Sequence, residues 1–293
     1  MINKGLSRLG TYFLYLVSLL PFWFLYLISD FLFVIVYYIV GYRRKVVQEN
    51  LRNAFPEKTE QERQTIERKY FKYMADLIVE TIKMVTASEK SIIKRVTCTN
   101  PELIEQYFAQ GRSIMGAVGH YCNWEMADLR GSLYIKNPIL VVYKPLSNAV
   151  FDEFFIKMRS RFGANLIPMK NVLRTMVQRK NDLIFSFFVA DQTPVKHEAT
   201  YFTTFFNQPT AFFLGIEKMA KLTNPIVIFC DVKCVKRGYY TYTIIPITDK
   251  PKETAEYEIT EAYVKCLETM IRREPQYWLW SHRRWKFKPE DKA

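Results

Sequence analysis

In GHYCNWE, Gly119 to Glu125, a histidine and a glutamate stand five positions apart. A histidine beside a carboxylate can take a proton from a hydroxyl. The acid holds one imidazole tautomer and stabilises the imidazolium, while the free nitrogen serves as the base. The spacing limits how the two can meet. Five residues of one helix turn through roughly 140°, which points the side chains apart. On one strand an odd separation sends them to opposite faces. The pair therefore meets only across a change of conformation, with His120 in a loop and Glu125 in the first turn of a helix capped by Asn123. An acid in a first helical turn is also favoured by the helix dipole alone. Cys122 brings a second chemistry, a thiolate that is itself acylated, although nothing adjacent lowers its pKa and small buried cysteines are commonly packing residues.

The chain around this stretch supplies the corner. Ser113–Val118 is a short apolar run of strand type, and the spacing predicts a helix over Asn123–Tyr134. Further strands are expected at Pro138–Val142, Leu183–Val189, Pro225–Val235 and Tyr239–Pro246, the last two joined at Lys236–Gly238. Helices are expected at Arg44–Ala54, from Thr59 (a capping box with Glu62), from Asn100–Pro101 to Gly111, and over Asn148–Phe162, Ala211–Leu222 and Ala255–Arg273. This alternation indicates an α/β domain with a mixed, largely parallel sheet flanked by helices, whose site lies where strands lead into helices. His120 occupies such a position.

Composition narrows the partners. A formal charge of +13 over 293 residues favours anionic ones: nucleic acid, an anionic membrane, phosphorylated substrates or an acidic carrier protein. Five cysteines without a Cys-x-x-Cys pair suit reduced thiols facing the cytosol. The three histidines are far apart and only Cys122 lies near one of them, so the residues propose no metal site. Between Thr11 and Tyr42 the only charged residue is Asp30, and that length is ample for a membrane helix, interrupted by Pro21 and Asp30. We expect residues 1–43 to form a membrane anchor, single-pass or monotopic, and residues 44–293 one catalytic domain. The denser cations after the run, Arg43, Arg44 and Lys45, place that domain on the cytoplasmic side. A signal peptide fits poorly because no small-residue cleavage site follows, and the length argues against a buried core helix.

Several motifs follow in order: R-x-x-V-x-x-N-L-x-x-A-F-P-E (Arg44–Glu57), GHYCNWE, YKPLSNAVFDEFFIKMRSRFG, VADQTP, TTFFNQPTAFFLG and SHRRWKFKP. Together they resemble the bacterial lipid A biosynthesis acyltransferases, relatives of the glycerolipid acyltransferases with a His-x4-Asp/Glu motif. The resemblance implies a glycerolphosphate-acyltransferase-like fold and transfer of a fatty acyl group from acyl carrier protein to a hydroxyl of a Kdo-bearing lipid A precursor. The acceptor would be an anionic, phosphorylated lipid in the inner membrane, with no cofactor and no nucleic acid. His120 would be the base and Glu125 its orienting acid. Asp191 and Gln192 match the family's Asp-Gln pair, and Arg159 and Arg161 fall near its second motif, where they would hold lipid phosphates, counter an oxyanion or simply cap a helix. Asn207 stands where the family usually has glycine. His282, Arg283, Arg284, Lys286 and Lys288, interleaved with Trp278, Trp280 and Trp285, would sit at headgroup level or form a solvated tail. Three other functions suit the same residues: an acyltransferase of the same family with another lipid or polar-conjugate acceptor, a membrane-tethered hydrolase using the base on water, and a basic binding module indifferent to His120.

Overall fold

The computed structural model describes residues 4–291. Helices α1 (Lys4–Leu19) and α2 (Phe22–Val34) are broken at Pro21, and a π-helical turn, Ile35–Val40, extends α2. Next come α3 (Arg44–Ala54) and the long α4 (Glu60–Met84), which starts on the expected capping box of Thr59 and Glu62. The α/β body then alternates: α5 (Glu89–Arg95), β1 (Val96–Cys98), α6 (Glu102–Ala109), β2 (Ile114–Val118), α7 (Trp124–Tyr134), β3 (Ile139–Tyr143), α8 (Ala149–Arg159), β4 (Asn165–Pro168), α9 (Val172–Gln178) and β5 (Phe185–Val189). A hairpin of β6 (Phe202–Phe205) and β7 (Gln208–Ala211) precedes α10 (Gly215–Thr223), β8 (Ile226–Lys236), β9 (Tyr239–Thr248) and α11 (Glu258–Arg273).

Seven strands form one sheet in the order β1-β9-β8-β2-β5-β3-β4, parallel throughout except for the β8–β9 hairpin. Helices cover both faces, so β2 is buried at all five residues and reads in sequence as an unbroken apolar run rather than an alternation. Neighbouring strands β2 and β5 are in register, with Val118 opposite Val189. Their C-terminal ends therefore coincide, and the loops that leave them start side by side.

Four elements differ from the sequence expectation. Strands β1 and β4 have three and four residues, too short for a periodic signal, and exist because β9 and β3 offer them parallel edges. Residues 208–211, expected to be loop and the start of a helix, pair instead as β7. Phe206 and Asn207 form the two-residue turn, both in the left-handed region (φ 49° and 61°). Asparagine tolerates that conformation, so the turn survives where the resembled family has glycine. The helix expected to reach Phe162 ends at Arg159.

Candidate active site

The corner after β2 is held from several directions. Gly119 admits no side chain, because a Cβ there would lie 2.6 Å from the Leu267 methyl and 3.4 Å from Asp191 Oδ2. Cys122 takes a left-handed φ of 48°, a conformation that costs a non-glycine residue about 1–3 kcal/mol and persists only when the surroundings impose it. Here its N–H donates to Tyr277 O (3.0 Å) and its carbonyl accepts from the Tyr73 hydroxyl (2.6 Å). Asn123 caps α7 as expected, accepting from Met126 N at 2.9 Å. Its amide donates to the buried Glu80 at 2.7 Å.

His120 is bonded to Asp191, seventy-one residues away in sequence. Nδ1 lies 2.5 Å from Asp191 Oδ1, and the His120 backbone N–H donates to Oδ2 at 2.8 Å. The indole N–H of Trp278 donates to the same Oδ2 at 2.8 Å. Burial alone would raise the Asp191 pKa, but the imidazole and these donors outweigh it and hold the carboxyl below its ordinary value. With Nδ1–H donating to Asp191, Nε2 is left as an acceptor, 3.3 Å from the Gln192 amide nitrogen. Trp124 packs edge-on against the imidazole, ring centroids 5.3 Å apart.

Glu125 does not reach back to His120. It lies in the first turn of α7, as expected, but both its oxygens are taken by Arg159 from the end of α8 (Nη2–Oε1 2.7 Å, Nε–Oε2 3.0 Å). A bidentate guanidinium–carboxylate pair outcompetes a single imidazole contact, and Asp191 already occupies Nδ1. Burial opposes the Arg159 charge, yet the hydrogen bonds and charge of Glu125 leave its pKa raised. One turn further along α7, Asp128 is buried, and its Oδ1 has no partner among the described residues. Burial first, and then the Glu125 charge, raise its pKa to about 7. It lines a narrow apolar cavity of about 20 Å³ that lies beneath α7 and is also bordered by Trp124, Val118, Val189 and Phe187.

The family model for bacterial lipid A biosynthesis acyltransferases matches residues 1–287. This chain belongs to that family. Among its relatives, a lipid A biosynthesis acyltransferase of Haemophilus influenzae is 26% identical over 277 residues, covering 93% of this chain and 85% of its own. The lipid A biosynthesis lauroyltransferase of Escherichia coli is 26% identical over 294 residues, covering 97% and 92%. The palmitoleoyltransferase of the same organism is 22% identical, covering 84% and 80%. In this lipid A acyltransferase family member, His120, Asp191, Gln192, Glu125 and Arg159 gather at one edge of the sheet.

The remaining residues lie elsewhere. Arg161 is exposed and donates to the Met84 carbonyl, tying α8 to α4. The tail is neither a solvated run nor a headgroup anchor along its whole length. Trp278, Trp280 and Arg284 are buried, Arg284 donating to Ala211 O (2.7 Å) with its guanidinium stacked 4.3 Å from the Phe212 centroid. Burial lowers its pKa to about 10. Burial and the neighbouring Arg284 also push His282 down to about 4. Its neutral Nε2 accepts from Thr193 N at 3.0 Å, which clasps the loop after Asp191. Arg283 remains exposed. The partnership of His120 with Asp191 escaped the spacing argument. Its signal was that two strands end alike, Val118-Gly119-His120 and Val189-Ala190-Asp191, each placing a chemical residue two positions past its last valine.

Proposed function

We propose that this chain transfers a fatty acyl group from acyl carrier protein to a hydroxyl of an anionic lipid A precursor, at the cytoplasmic face of the inner membrane. The observation that carries this reading is the orientation of His120: Nδ1 is held by a buried carboxylate and Nε2 faces the half-buried Gln192 amide at the carboxyl ends of the parallel strands. The acceptor hydroxyl takes the place of the Gln192 amide at Nε2. As its oxygen attacks the thioester carbonyl, the proton passes to Nε2 and Asp191 stabilises the imidazolium. Collapse of the tetrahedral intermediate expels the carrier thiolate, which recovers the proton. A positioned base of this kind contributes about 10²–10⁴-fold in rate.

Asp191 thus takes the orienting part that spacing assigns to Glu125. Glu125, on the same turn of α7 as Trp124, and Arg159 from α8 form a positioning pair for the substrates. The apolar cavity beneath Trp124 is where we place the donor chain. A void of about 20 Å³ holds about one water, so the chain enters by displacing side chains such as Phe187. The +13 charge suits both the acidic carrier and a phosphorylated lipid. The test is His120→Ala in a purified assay with acyl carrier protein thioester and lipid A precursor. Acyl transfer is expected to be lost with the fold intact. Near-normal turnover would refute the proposal, and free fatty acid without acylated lipid from the unsubstituted protein would make it a hydrolase.

A further inference from the structure

The N-terminal helices turn polar side chains inward and leave most of their large apolar ones outward. On α1, Ser7 and Ser18 are buried against the body, while Leu9, Phe13 and Leu16 are 62–66% exposed. The inward face of α2 carries polar groups beside the buried Leu25 and Phe33. Tyr26 donates to Glu80 Oε1 at 2.8 Å, and Ser29 donates to Asp76 Oδ1 at 2.6 Å. Arg237, in the β8–β9 turn, bridges Asp30 (2.7 Å) and Asp76 (2.9 Å). The turn sits so close that a Cβ on Gly238 would overlap the Tyr26 hydroxyl. Outward, Trp23, Leu27, Phe31 and Val34 recur along one helical face, all exposed.

A spanning helix does not agree with this packing. Phe22–Val40 is apolar and, at nineteen residues, long enough to cross a bilayer. However, α2 runs antiparallel along α4, through Tyr26 with Glu80, Ser29 with Asp76 and Tyr37 with Phe71. If α2 crossed, Asp30 would sit near the bilayer centre. Alongside it would be Asp76, Glu80 and Arg237, and α4 with its exposed Arg68, Lys69 and Lys72. Charges at that depth are strongly disfavoured.

We propose that α1, α2 and the π-helical turn form an in-plane, monotopic membrane face. The outward stripes enter the acyl region of one leaflet, and the exposed Lys4, Arg8, Arg43 and Lys45 meet lipid phosphates at its margin. Those cations would repel a second copy seated on the same stripes and attract an anionic surface. The face also borders the site. Asn148 Nδ2 donates to Ser7 Oγ at 2.9 Å, and Asn148 caps α8 beyond the carboxyl end of β3, the sheet edge that holds His120. The use made of this border rests on the lipid-acceptor reading; the membrane geometry does not.

The test uses the full chain with Cys98, Cys234 and Cys266 replaced by Ser. Nitroxides are placed in turn at Leu9→Cys, Phe13→Cys, Leu27→Cys, Phe31→Cys and Tyr38→Cys, on vesicles of phosphatidylethanolamine and phosphatidylglycerol. Oxygen and nickel-chelate accessibilities should give all five labels one shallow depth. A passage of depths through the bilayer centre, from Leu27 to Tyr38, would overturn the proposal in favour of a span. Labels that report no lipid contact would overturn it too, and would assign the face to a second copy if the chain sediments as a dimer. Leu9→Glu or Leu27→Glu should lower the vesicle partition coefficient about tenfold or more, the equivalent of removing one buried aliphatic side chain. Turnover on detergent-dispersed acceptor should be unchanged. Loss of acyl transfer in His120→Ala, with vesicle binding retained, separates failure of the reaction from failure of the membrane face.

Discussion

Asp191→Asn tests the reassigned partner of His120 most directly. The amide is isosteric, but its oxygen and nitrogen are not free to choose their places. Asp191 Oδ2 accepts from two N–H donors, His120 N and Trp278 Nε1, both at 2.8 Å. The amide oxygen must take that place, since an NH₂ would face two other donors. Its NH₂ is then left at the Oδ1 position, 2.5 Å from Nδ1 in the unsubstituted protein, and can bond only an unprotonated nitrogen. The imidazole is driven to the tautomer with the proton on Nε2, which cannot accept another. In serine-protease triads a comparable tautomer error lowers kcat about 10⁴-fold. Here the expectation is about 10³–10⁴-fold at neutral pH, or ~4–5.5 kcal/mol of transition-state stabilisation. Single-turnover acyl transfer from a carrier-protein thioester, with a melting curve to show that the fold persists, measures it. A folded Asp191→Asn protein within tenfold of the original rate would refute the reasoning. If Glu125→Gln alone removed the rate, the sequence-based pairing would be restored.

Three further outcomes follow from the same geometry. Glu125→Gln should raise KM more than it lowers kcat, and lower Tm, because Arg159 loses its bidentate partner in a partly buried site; steady-state kinetics and calorimetry check both. Cys122→Ala should keep kcat within about threefold, since its thiol is buried and burial pushes its pKa well above the usual value; a loss beyond a hundredfold in a folded protein would point to an acyl-enzyme. Asp128 carries its proton to about pH 7 when folded but releases it near its ordinary value when unfolded. The folded state therefore binds more protons between those values, and stability falls as pH rises through that window. The loss approaches a few kcal/mol, by about 1.4 kcal/mol per unit of pKa difference. Asp128→Asn should remove that part of the slope, seen as a Tm gain over the original protein that is larger at pH 8 than at pH 5.

Much of this protein is legible in one dimension. Apolar runs, capping residues and the order of strands and helices depend on near neighbours in the chain. They located the α/β body, the corner at His120 and the cap at Asn123. The ordered motifs likewise identified the family. What the chain order cannot carry is contact between distant segments. Glu125 was the nearest acid in sequence, but pairing of β2 with β5 in register puts Asp191 at Nδ1, and α8 delivers Arg159 to Glu125. The basic, aromatic tail read as a surface feature until packing buried Trp278 and Arg284 behind the Asp191 loop. The N-terminal run likewise declared only that it is apolar. Hydropathy sums over all faces of a helix, whereas the tertiary structure decides which face is turned inward; here that face carries Tyr26, Ser29 and Asp30, bonded to Glu80, Asp76 and Arg237, and leaves most of the large apolar side chains outward.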